Sequence, residues 1–122
     1  MEVFTIEATK RTPAVHFNNT TGIFDVKGLC IPENPTEFFL TIRNSVTQYL
    51  EAPQPSTILN LDLEYLNTSS FKSIISLIEL IKHVNTTQLT INWFHEADDE
   101  DNRELGEDLQ VVIKHPVVFF TK

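Results

Sequence analysis

Glycine is almost missing from this chain. Only Gly22, Gly28 and Gly106 occur in 122 residues. They stand too far apart for a G-x-G-x-x-G turn or a G-x-x-x-x-G-K-[ST] loop, so neither common nucleotide cradle is available. Cysteine is scarcer: Cys30 stands alone, which forbids an internal disulfide and a cysteine-rich zinc site. Bases are outnumbered, 9 Lys plus Arg against 17 Asp plus Glu, for a formal net charge of −8. That charge repels phosphate backbones and anionic bilayers, so neither nucleic acid nor membrane is the expected partner. Long apolar runs are lacking too. The greasiest stretch, Ile74 to Val84, is broken by Ser76, Glu79, Lys82 and His83 and cannot span a bilayer. The N-terminal segment has Glu2 where a signal peptide carries a basic cluster, and no apolar h-region follows. The expected location is therefore cytoplasmic, and the sequons at Asn18, Asn19, Asn67 and Asn85 carry no meaning there.

What is present is a globular balance, 41% apolar and 21% charged residues. With no repeat, low-complexity tract or dividing linker, residues 1–122 read as one domain. Val15–Asn18 and Ile23–Lys27 predict two strands joined by a hairpin turn over 18–22, with an earlier strand near Val3–Ile6 set apart by Pro13. Asn34-Pro35-Thr36-Glu37 offers an Asn N-cap, Pro at the first helical position and Glu at the third, a capping-box arrangement. Phe38, Phe39, Ile42, Val46, Tyr49 and Leu50 follow at helical spacing, and Pro53 and Pro55 close the helix. Residues 57–66 read as a long strand that alternates from Leu59 to Glu64, with Leu59, Leu61 and Leu63 on one face and Asn60, Asp62 and Glu64 turned to water or a partner. A second helix is expected from about Ser69 to Val84, with His83 or Val84 closing its inner side. A strand follows over 89–94, then an acidic helix over 99–113 and a last strand over 117–120. The order β-β-β-α-β-α-β-α-β implies an α/β fold in which a mixed sheet packs with about three helices.

The segment 63–72 leaves a strand end, turns through Asn67-Thr68-Ser69-Ser70 and enters a helix. Functional groups on open α/β sheets collect at that edge. Two readings stand. Asn, Thr and Ser are good N-caps, and one of them suffices. Four in a row also suit a phosphorylation site, because a phosphate on the first hydroxyls of a helix meets unpaired N–H groups and the positive end of the dipole.

Ile31-Pro32-Glu33-Asn34 with Phe38-Phe39, the segment Leu63 to Lys72, and Ile91-Asn92-Trp93-Phe94 with Asp98 to Asp101 together resemble the SiaC family of bacterial regulatory phosphoproteins. Thr12 to Val15, Gly106 to Asp108 and Pro116 fit the same pattern, so the resemblance covers nearly the whole chain. It implies a non-enzymatic partner switch with a fold similar to the anti-sigma-factor antagonists. It implies reversible phosphorylation at Thr68, by a histidine-kinase-like serine/threonine kinase and a PP2C-type phosphatase. It also implies that the unphosphorylated form binds and activates a diguanylate cyclase, in cyclic-di-GMP and biofilm signalling. The alternative is an anti-sigma-factor antagonist whose target is a sigma-regulating serine/threonine kinase. On either reading the partner surface comprises Asn67, Ser69 and Ser70 beside Thr68, is bordered by Tyr65, Leu66 and Lys72, and has Pro32, Glu33 and Asn34 close by.

The stretch 96–108 holds eight of the seventeen acids. Counted from Asp98 as an EF-hand loop, it has Arg103 at the sixth position and Leu109 at the twelfth, where Gly and Glu are required. It reads as a solvated helix start, which the dipole favours, or as a docking face for a basic partner. His16, His83, His95 and His115 match no ligand spacing, and His95-Glu96 lacks the second histidine of H-E-x-x-H, so no metal or other cofactor is expected. No G-x-S-x-G elbow is present, and no catalytic residue is assigned. Cys30 and the aromatics Phe38, Phe39, Trp93, Phe94, Phe119 and Phe120 are expected in the core.

Overall fold

A computed structural model describes residues 3–122. Glu2, on which the reading of the N-terminal segment rests, lies outside them. The chain runs β1 (Val3–Ile6), β2 (Ala14–Asn18), β3 (Ile23–Cys30), α1 (Pro35–Tyr49), β4 (Ser56–Leu66), α2 (Thr68–Val84), β5 (Gln88–His95), α3 (Glu100–Ile113) and β6 (Val117–Thr121). The predicted element order is the observed one. The strands form one six-stranded sheet in the order β1-β2-β3-β4-β5-β6. The first three are antiparallel and the last four parallel, so each parallel step is made through one helix.

The alternation of each strand separates two faces. Phe17, Phe24, Val26, Leu59, Leu61, Ile91 and Trp93 are buried together with the inner residues of all three helices. Among the described residues no helix covers the opposite face, and its polar residues satisfy one another: Asn60 Nδ2 donates to Asp25 Oδ1 at 2.8 Å, and Asn92 Nδ2 donates to Asn60 Oδ1 at 2.8 Å. These three residues are direct register partners on β3, β4 and β5. Asp62, on the same face, takes the Lys122 ammonium at 2.7 Å.

Local chemistry sets the helix boundaries. Asn34 Oδ1 accepts from Glu37 N at 3.2 Å, with Pro35 as the first helical residue. The Glu37 carboxylate makes no return hydrogen bond among the described residues, so half of the expected box is built. In α2 it is Val84 that packs inward, while His83 is exposed. Two aromatics depart from expectation. Phe94 and Phe120 stack on the face opposite the helices with centroids 5.0 Å apart, Phe120 exposed and Phe94 half-buried. Even positions of β5 face away from the helices, and Phe120 is the register partner of Phe94. Trp93 and Cys30 are buried as expected. Among the described residues no helix is long and apolar enough to cross a membrane, and no cluster of His, Cys, Asp and Glu could hold a metal ion.

Candidate functional site

The parallel strands end at one edge of the sheet, and all three helices start from that edge. The register there is irregular. Gly28 pairs with Leu63 and Leu29 with Tyr65, so Glu64 is skipped and β4 carries a bulge. Gly28 sits at φ +126°, a backbone conformation that other residues rarely adopt. The extra residue breaks the alternation. Glu64 and Tyr65 are both exposed, Tyr65 by 61%, before Leu66 returns to the core.

The chain then turns directly into α2. Asn67 is held by its N–H, which donates to Cys30 O at 3.2 Å, and its Oδ1 accepts from Ser70 N at 2.9 Å. One capping residue thus serves the helix, leaving the other three polar residues of the turn for separate roles. Thr68 is the first helical residue and is exposed, as is Ser69. Among the described residues their backbone N–H groups have no acceptor, so two donors at the positive end of the helix dipole point outward. Ser70 is fully buried, and its Oγ has no hydrogen-bond partner among the described residues. It lies beside Cys30, whose thiol is pushed above its ordinary value by burial. Lys72, one turn beyond Thr68, is exposed.

Of the other predicted site residues, Leu66 and Pro32 are buried and support the edge from beneath. Glu33 is exposed with the Arg11 guanidinium at 4.0 Å, and Asn34 spends its side chain on the α1 cap. The adjacency of Cys30 and Asn67 brings the segment 31–34 to the same sheet edge as the Asn67–Ser70 turn.

Sequence reasoning missed what α3 contributes. Asp99 caps it, accepting from Asn102 N at 3.0 Å. Asn102 Nδ2 donates to Leu63 O at 2.8 Å, while Trp93 Nε1 donates to both Asn102 O and Asn102 Oδ1 at 3.1 Å. This clamp fixes the acidic start of α3 against the end of β4. Close approach behind it needs Gly106, where a Cβ would come within 2.7 Å of Phe119 and 2.9 Å of Trp93. No spacing rule connects Asn102 with Leu63, 39 residues away.

The family model for the SiaC family of regulatory phosphoproteins matches residues 6–122. A protein of Pseudomonas aeruginosa (strain UCBPP-PA14) without an assigned function is 30% identical over 107 residues, covering 86% of this chain and 85% of its own. SiaC of Pseudomonas aeruginosa superimposes with a TM-score of 0.89 at 26% identity over the full length of both chains. The apo form of SiaC gives 0.82 at 30% identity, with 98% of each chain covered. A third structure, of the diguanylate cyclase SiaD in complex with its activator SiaC, gives 0.89 at 26% identity, covering 98% of this chain and 99% of that one. The chain belongs to the SiaC family of regulatory phosphoproteins.

Proposed function

We propose that this protein is a cytoplasmic, non-enzymatic partner switch whose state is written at Thr68. Unphosphorylated, it binds and activates a diguanylate cyclase; phosphorylated, it releases it. A histidine-kinase-like serine/threonine kinase adds the phosphate and a PP2C-type phosphatase removes it. The observation that carries this reading is the placement of Thr68: exposed, first in α2, with Asn67 already serving as the cap. Its hydroxyl is free for modification because the fold does not use it. The likeness to an activator seen in complex with its cyclase supports the choice of target.

The chemistry of the switch follows from the surroundings. A phosphate brings about −1.5 to −2 charges. The free N–H groups of Thr68 and Ser69 receive it in the unbound protein, while Lys72 lies one turn away. Buried under a partner, the same dianion would have to shed its water next to an edge already carrying Glu64, Asp99 and Asp101. Phosphorylation therefore stabilises the free protein and penalises the complex.

The test uses the full chain and its cognate cyclase. Thr68→Ala leaves the cap intact, costs under about 0.5 kcal/mol of stability as an exposed substitution, and is expected to retain binding and cyclase activation. Thr68→Glu and the phosphorylated protein are expected to lose both. Equal affinity of the Ala and Glu variants for the cyclase would refute the switch, as would the absence of phosphate at Thr68 in protein from a host lacking the phosphatase.

A further inference from the structure

Between the bulged end of β4 and the first turns of α3 lies an open cavity of about 210 Å3. Leu63, Leu66 and Leu105 give it apolar walls, and Glu64, Asp99 and Asp101 supply carboxylates. We propose that this cavity seats an arginine side chain from a basic segment of the protein target. The inference deepens the reading above and rests on it.

Three observations carry the argument. The first is the lining itself. A guanidinium on an aliphatic stem is apolar along its length and cationic at its end, and it sheds water more readily than an ammonium does. Greasy walls with carboxylates suit that side chain better than an anion or a purely apolar residue. Secondly, the carboxylates have charge to spare. Among the described residues neither Glu64 nor Asp101 has an ion-pair partner. The neighbouring base, Lys122, is engaged by Asp62 at 2.7 Å and Glu96 at 3.8 Å, and it attracts Glu64 only from beyond ion-pairing distance. Finally, the cavity is preformed. The bulge turns Glu64 outward, and the Asn102 clamp holds the α3 wall against Leu63, so the backbone of the receiving side is already in place and only exposed side chains are left to order.

Charge reversal tests this with the full chain and its cognate cyclase in titration calorimetry. Asp101 is exposed and makes no side-chain hydrogen bond among the described residues, so Asp101→Lys removes a cavity charge without breaking a clamp. Glu51→Lys changes net charge equally beyond the end of α1, away from the cavity, and serves as the control. Asp101→Lys is expected to weaken binding by about tenfold or more, and Glu51→Lys by less than about twofold. Asp101→Asn, which keeps the shape, is expected to fall between them and guards against a folding defect in the lysine variant. Cyclase binding by both Asp101 variants as tight as wild type overturns the cavity assignment and leaves the switch standing. No binding by the wild-type chain overturns both.

Discussion

Replacing Asn102 by Ala tests whether the clamp between α3 and β4 has the strength its geometry implies. The substitution deletes the 2.8 Å bond to Leu63 O and the 3.1 Å bond from the Trp93 indole to Asn102 Oδ1. The indole keeps the Asn102 carbonyl at 3.1 Å and is not orphaned. Two neutral hydrogen bonds at about 1 kcal/mol each give about 2 kcal/mol. Alanine returns about 0.5 kcal/mol through its better helix propensity. The expected net loss is about 1.5 kcal/mol, or about 6 °C in Tm at this chain length. Trp93, the only tryptophan, is 1% exposed, so its emission reports unfolding directly in a urea titration. The midpoint should fall with the slope unchanged. A midpoint equal to wild type would mean that water replaces both bonds at no net cost, and the α3 wall would then not be held as described.

Two further substitutions or conditions probe the interior. Tyr49 Oη shares a 2.7 Å hydrogen bond with the buried Thr57 hydroxyl and accepts from Gln54 N at 3.1 Å. Tyr49→Phe is therefore expected to cost about 1–2 kcal/mol, read from the urea midpoint. Cys30 is buried, and its thiol titrates above the ordinary value of 9.0 because desolvation penalises the thiolate. The stability this contributes is whole below that ordinary value and is lost as pH climbs through the raised one. Native protein should resist thiol alkylation at neutral pH and react fully in denaturant; rapid native labelling would contradict the burial.

The helix starts were readable because they rest on neighbours in sequence. Asn34 with Pro35, and Asn67 before a periodic run, bond to groups three residues on. The β4 strand was readable because Leu59, Leu61 and Leu63 alternate against polar residues. What stayed hidden depends on distant partners. The bulge at Glu64 is a matter of register with Gly28 and Leu29, and only that register explains why Tyr65 joins Glu64 at the surface. Ser70 looked like the last of four equivalent polar residues, yet it faces the core because the turn of α2 carries it toward Cys30. Asn102 was one polar residue inside an acidic tract, and its bonds to Leu63 and Trp93 exist only once the sheet is assembled. The same holds for the ladder of Asp25, Asn60 and Asn92, in which Asn60, expected to face water or a partner, finds its partners on the two neighbouring strands.

The sheet order β1 to β6 is also the chain order, so every strand pairs with the one made just before it. No strand waits for a distant segment, so each pairing closes a loop of one hairpin or one helical crossover. A chain growing from its N-terminus can thus lay each βα unit onto a finished border. The final unit, α3 with β6, supplies the acidic wall facing Tyr65 and Leu66. A nascent chain that already displays Thr68 still lacks that wall, so the surface proposed above for the target is complete only once the α3–β6 unit has been made.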